Sequence, residues 1–353
     1  MSGTITILGA GVMGTAMVLP FSDRGMKVRL VGTHLDRAII DSVKAQGLHP
    51  KLNVTLPRDV AAFQHDAFGK ALGDDSDYIL LGVASAGVGW AIDRLCENLK
   101  RPVPVVMITK GLQPEGGELL AFPDVVQREL KKRLGFAVPV AAIGGPCIAG
   151  ELAVRRQTGT VVVSRDRALA EKICGDFETD YYHPRVSTDM IGVEVCAAFK
   201  NFFAIAVGWA RGQFDVLAEA ENKARNNNPA AILFDQATRE MMALTLALKG
   251  TAESVWGMPG VGDLYVTCMA GRNSRLGEHL GRGMTYSAVK AGPMKEDTVE
   301  GAELGRAVAE TLRSMMSGGK LSPAALPLTA ALLESLVDDA PLAPRWAQFH
   351  RGG

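Results

Sequence analysis

The stretch TITILGAGVMG, Thr4 to Gly14, decides the fold. A run of β-branched and apolar residues feeds straight into a glycine-patterned turn, and helical spacing follows it. In that context GxGxxG becomes a dinucleotide fingerprint. Gly9, Gly11 and Gly14 permit a tight turn, and with Val12 and Met13 they bring backbone N–H groups at a helix N-terminus up to a pyrophosphate. Working outward, MKVRLVG, DYILLGV, VPVVMIT, VPVAAIG and GTVVVS read as further strands separated by segments of crossover length. This alternation predicts an α/β fold with an N-terminal Rossmann-type, doubly wound parallel sheet. From about Met190 the strands stop and the apolar runs take helical spacing, which predicts a C-terminal all-α domain. HPRVSTD, His183 to Asp189, interrupts both periodicities, so the expected domains are residues 1–187 and 188–353.

With 353 residues and 47% hydrophobic composition, the chain can bury a large core in two domains. Lys plus Arg and Asp plus Glu balance at 38 each, which provides neither a basic field for nucleic acid nor an acidic solvating tail. The partners left are small molecules or copies of the same chain. The 5 cysteines are scattered and form no CxxC pair, which argues against a disulfide framework or a zinc site and points to a reducing cytoplasm. No metal is expected. The N-terminus enters its first strand without the basic region and apolar run of a secretion signal, and no stretch reads as long and apolar enough to span a bilayer.

Four features carry chemistry. The strand MKVRLVG ends in Gly32, Thr33 and His34, where a ribose-binding acid is expected. A carboxylate there accepts from the 2′-OH of NAD and repels the 2′-phosphate of NADP, so its absence tilts the expectation slightly toward NADP, with NAD the other candidate. The alternative is that Asp36, a little later, folds back to take that place. Lys200 stands in EVCAAFKNFFAIAVG, Glu194 to Gly208, where its helical neighbours Cys196, Ala197, Phe203 and Ala204 are apolar. Such a lysine must snorkel, pair with a carboxylate or hold a shifted pKa for chemistry. GVGDL, Gly260 to Leu264, is followed by TCMAGRNSR, Thr267 to Arg275, where Arg272 and Asn273 either hold a phosphate or form a solvated loop. Lys110 and Gly145 lie where VPVVMIT and VPVAAIG end, the edge at which open α/β sheets bind ligands.

KGL after the fourth strand, GGPCIAGEL after the fifth, EVxxAxKNxxAIAxG, GxGDLxxTC with a nearby RN, and a later VEG together resemble the NAD(P)-dependent glycerol-3-phosphate dehydrogenase family. They run in that family's order between Gly9 and Gly301. The resemblance implies interconversion of sn-glycerol 3-phosphate and dihydroxyacetone phosphate by hydride transfer, in a cleft between the two domains, with the helical domain also supporting a homodimer. By motif position it makes Lys200 the catalytic acid/base, with Lys110 and Asp263 completing its polar site. Arg272 and Asn273 would hold the substrate phosphate, and Gly145, Asn201 and Thr267 would lie at the substrate. Ala149, Arg272 and Glu300 would lie near the cofactor. The residue types agree, because ketone reduction needs a proton donor at the oxygen as hydride reaches the carbon. Asp263 and Asn201 can orient the ammonium, while the charge of Lys110 favours an oxyanion.

Cys147 and Gly271 depart from this pattern, standing where bacterial members usually carry serine, and Gly271 lacks a hydroxyl that can bind phosphate. The segment Ala218 to Met241, which contains Asn226 to Asn228, is longer and more charged than the usual glycine-rich connection. A larger polyol or ketose phosphate is therefore the alternative substrate. A lysine-dependent hydroxyacid dehydrogenase, with Arg272 on a carboxylate, is a further alternative. NKARNNNP and KAGPMKEDT read as mobile. His183, Cys196 and Cys268 read as packing or loop residues, since none has a second Cys or His at ligand spacing.

Overall fold

The computed structural model describes residues 3–217 and 226–349. The chain forms two compact units, Met1–Lys110 with Phe122–Met190, and Gly111–Ala121 with Ile191–Gly353. The first unit contains β1 (Thr4–Leu8), β2 (Lys27–Val31), β3 (Leu48–His49), β4 (Val54–Thr55), β5 (Ala61–Phe63), β6 (Tyr78–Leu81) and β7 (Val105–Met107). Next comes a hairpin of β8 (Leu112–Glu115) and β9 (Glu118–Ala121). The first unit then resumes with β10 (Val140–Gly144), β11 (Thr158–Val163) and β12 (Tyr182–Ser187).

Its main sheet has 8 strands in the order β12-β11-β10-β7-β6-β1-β2-β5. Every residue of β1 is buried, as expected of a strand covered on both faces. It pairs in parallel with β2 on one side and β6 on the other, so the winding reverses there and the GAGVMG turn opens at the switch point.

The sheet differs from expectation in three places. β11 runs antiparallel to β10, pairing Gly144 with Val161. A parallel return needs a crossover long enough to bring the chain back along the sheet, and the 5-residue helix Ala149–Ala153 is too short. HPRVSTD holds a strand the pattern did not show, since His183 to Ser187 belong to β12. Pro184 is tolerated there because β12 is the edge strand. β5 escaped the pattern because 3 residues give no readable alternation.

The hairpin β8–β9 belongs to the helical unit, an excursion that a single cut between residues 187 and 188 does not anticipate. Leu112 and Leu119, each 3% exposed, sit in the same apolar core as the Lys200 helix, Met190–Leu217. Phe199, Phe202 and Phe203 fill that core, with Phe202 meeting both of the others edge to face. Helices Asn227–Ala247, Asp263–Met269, Arg272–Gly281, Glu300–Ser317 and Pro327–Val337 share it.

The expectation that no stretch is long and apolar enough to span a bilayer is corrected by Met190–Phe214, whose mean hydropathy reaches 1.7. Within the fold 83% of its most apolar window is buried, so its composition matches that of a central core helix. Of NKARNNNP, Asn222 to Arg225 lie outside the described residues, whereas Asn227 to Pro229 begin helix Asn227–Ala247. In KAGPMKEDT the Lys290 ammonium donates to the carbonyls of Met294 (3.1 Å) and Asp297 (2.5 Å), closing the segment on itself.

Candidate active site

In the first unit the glycines of GAGVMG have distinct duties. Gly9 has φ 116°, and a Cβ there would lie 2.6 Å from the Gly82 carbonyl oxygen. A Cβ at Gly14 would lie 2.3 Å from the Gly9 oxygen, so the helix starts hard against the turn. A Cβ at Gly11 would meet nothing within 4 Å, which leaves an open face where a pyrophosphate can approach backbone.

Asp36 folds back toward the glycine turn. Its Oδ2 accepts from Ala10 N (3.2 Å), Thr33 N (2.8 Å) and Thr33 Oγ1 (2.8 Å), which brings a carboxylate back to the glycine turn. His34 is exposed, with its ring edge-on to Trp90 at 5.9 Å between centroids. Gly145 is buried just after β10, and Ala149 begins a short helix that packs against helix Val12–Ala16. Lys110 is half-buried, following Thr109, whose hydroxyl donates to the Val83 carbonyl at 2.6 Å.

In the second unit the Lys200 ammonium pairs with the Asp263 carboxylate, their side chains 12% and 2% exposed. Ion pairing is thus among the fates open to a buried lysine. Asp263 opens helix Asp263–Met269, and one turn on the Thr267 hydroxyl donates to the Asp263 carbonyl at 2.7 Å. That hydroxyl retains lone pairs but has committed its proton.

Helix Arg272–Gly281 meets the Lys200 helix backbone to backbone, since a Cβ on Gly277 would lie 2.0 Å from the Ile205 oxygen. The close crossing brings Asn273 to Asn201, with Nδ2 to Oδ1 at 3.0 Å. Asn273 Oδ1 also accepts from Gly301 N at 2.9 Å. Asn273 thus ties the catalytic-lysine candidate's helix to the VEG segment. Arg272 is half exposed and pairs with Glu300 at 3.0 Å. Gly271 has φ 114°, a conformation in which serine would be strained, so the missing hydroxyl goes with this chain's backbone path.

Sequence patterns missed some residues at this site. Glu194, 1% exposed, accepts from the Gly111 backbone N at 3.1 Å and so holds the start of the hairpin. Arg211 donates to the Cys268 carbonyl and to Ser274 Oγ. The available signal was the same as for Lys200, a charge on a predominantly apolar helix. Burial pushes the Cys268 thiol up to about 12, so it stays protonated. His183 Nε2 contacts Gln157 Oε1 at 2.7 Å on the strand pair β11–β12 and its flank.

Comparison with known proteins joins these two sets of residues to one family. The N-terminal region of NAD-dependent glycerol-3-phosphate dehydrogenase matches residues 4–170, and its C-terminal region matches residues 189–343. A protein of Archaeoglobus fulgidus named NADP(+)-dependent glycerol-3-phosphate dehydrogenase is 37% identical over 284 residues, covering 80% of this chain and 81% of its own. One from Halorhodospira halophila, named glycerol-3-phosphate dehydrogenase [NAD(P)+], is 33% identical, covering 86% of this chain and 85% of its own. The crystal structure of glycerol-3-phosphate dehydrogenase from Coxiella burnetii has a TM-score of 0.79 at 26% identity, covering 98% of each chain. The glycine turn, the paired lysine and the arginine at a helix start therefore stand in a chain that belongs to the NAD-dependent glycerol-3-phosphate dehydrogenase family.

Proposed function

We propose that this protein interconverts dihydroxyacetone phosphate and sn-glycerol 3-phosphate with NAD(H) or NADP(H), using Lys200 as general acid and base. The observation that carries the proposal is the buried Lys200–Asp263 pair on the unit that also presents Arg272 at the start of a helix. A bound nicotinamide supplies the hydride to the ketone carbon in reduction and accepts it in oxidation. Lys200 delivers a proton to the ketone oxygen as negative charge develops on it, and takes it back in the reverse direction. Asp263 holds the ammonium in place. Arg272 binds the substrate phosphate with its planar fork, aided by the N-terminus of helix Arg272–Gly281. Asn201 and Asn273 act chiefly by fixing the helices that carry these groups.

Purified full-length protein should oxidise NADH or NADPH on addition of dihydroxyacetone phosphate, and sedimentation of the same preparation should give the mass of a homodimer. Four- and five-carbon ketose phosphates test whether the unusual segment around Asn226 to Asn228 admits a longer chain. Absence of turnover with every phosphorylated ketone would overturn the proposal.

For the cofactor, the position of Asp36 supports use of NAD at least as well as NADP, in place of the slight NADP preference drawn from Gly32 to His34. Its Oδ2 is engaged by the turn, and a carboxylate beside the adenosine ribose would repel a 2′-phosphate. Asp36→Asn keeps an acceptor for Ala10 N and removes the charge. It should raise the ratio of kcat/KM for NADPH over NADH by about tenfold, equivalent to ~1.4 kcal/mol. An unchanged ratio would place the discriminating group elsewhere.

A further inference from the structure

We propose that His49 is a positioning residue for the cofactor turn, locking the peptide that follows Ala10 so that the amide of Gly11 faces the pyrophosphate. His49 lies on β3, outside the fingerprint in sequence, and is 0% exposed. Leu52 N donates to its Nδ1 at 2.9 Å, and its Nε2 lies 3.0 Å from the Ala10 carbonyl oxygen. Since Nδ1 accepts, the ring proton sits on Nε2, and the histidine donates to Ala10. The Ala10 amide is held from another direction by Asp36 Oδ2 at 3.2 Å. Both backbone polar groups of one fully buried residue are thereby gripped by side chains from other elements.

The Ala10 carbonyl and the Gly11 N–H belong to one planar trans peptide and point in opposite directions. Gripping the oxygen therefore aims the N–H, on the residue whose side is open for 4 Å around a notional Cβ. Gly11, on the far side of this peptide, has no side chain to restrain it and open space where one would stand, so the hydrogen bond from His49 to the Ala10 oxygen is what fixes the peptide's orientation. An amide held in advance binds an anion without the ordering cost of a turn that must settle on binding.

This inference rests on the reading of Gly9 to Gly14 as the pyrophosphate turn, and the test separates the two. In His49→Asn the amide oxygen reaches the Nδ1 position, keeping the Leu52 bond but leaving no donor for Ala10. In His49→Gln the amide nitrogen reaches the Nε2 position, keeping the donor to Ala10 at the expense of the Leu52 bond. NADH titration by fluorescence should give a Kd raised about tenfold in His49→Asn with little change in Tm. His49→Gln should stay within about threefold in Kd even where Tm falls. Gly11→Val, which fills the open side of the turn, should abolish NADH binding. If Gly11→Val abolishes binding while His49→Asn keeps the wild-type Kd, or if Kd follows Tm in both histidine variants, the role of His49 is overturned and the turn reading stands. An unchanged Kd in Gly11→Val would overturn the turn reading and the His49 role with it.

Discussion

Lys200→Met should lower kcat for dihydroxyacetone phosphate reduction by about 10³-fold while leaving the Kd for NADH within about twofold of wild type. Methionine keeps most of the side-chain volume but has no proton to give. Asp263, 2% exposed, loses its ammonium partner, so the Tm of the variant must be followed to separate chemistry from unfolding. A folded variant that retains more than about a tenth of wild-type kcat would remove Lys200 from the proton-transfer role. A fall in kcat matched by an equal loss of cofactor binding would show a disrupted fold instead of a missing acid.

The largest stability effect should come from Glu240→Ala, far in sequence from any motif. Glu240 sits on helix Asn227–Ala247 with 0% exposure. Its Oε1 accepts from Leu328 N (2.6 Å) and Gln236 Nε2 (2.8 Å), and its Oε2 accepts from Thr329 N and Thr329 Oγ1, both at 2.6 Å. Leu328 and Thr329 lie in the first turn of helix Pro327–Val337, where backbone N–H groups have no partner within the helix. A carboxyl group from a neighbouring helix thus does the work of an N-cap. Alanine would leave those buried donors unsatisfied, costing about 3 kcal/mol or more, read as a lower urea midpoint of the helical unit. A midpoint unchanged from wild type would mean that water or a shifted helix satisfies the donors.

The same residue gives a pH dependence whose sign is fixed. Burial pushes the Glu240 carboxyl from 4.5 up to about 7, against the donors that favour its ionised form. The folded state therefore holds this proton at pH values where the unfolded chain has released it. Its contribution to stability is full below pH 4.5 and is lost as pH rises through about 7, a change of at most about 3 kcal/mol. Urea midpoints of wild type should fall over that window more steeply than those of Glu240→Gln. Parallel slopes would assign the pH dependence to other groups.

Much of the site was legible because it is written in local spacing. The glycine turn needs only the order strand, GxGxxG, helix, and the anomaly of Lys200 needs only the periodicity of its own helix. Asp36 was legible only as an alternative, because whether a carboxylate five residues beyond a strand returns to the turn depends on loop geometry that composition does not encode. Asn273 was legible as a polar residue beside Arg272, but its engagement by Asn201 and Gly301 was not, since those partners lie 72 and 28 residues away. His49 and Glu240 carried no local signal at all, being ordinary polar residues until the residues they satisfy are known.

By itself, then, the sequence determined the parallel sheet around TITIL, the helical second half and the charge buried at Lys200, all consequences of periodicities within one element. Only the tertiary structure decided the reversal of β11, the membership of hairpin Gly111–Ala121 and the partners of Asp36, His49, Asn273 and Glu240. The reason is that a buried polar group must be satisfied by whatever the fold brings to it, and that partner is chosen by packing across the chain and not by neighbours along it.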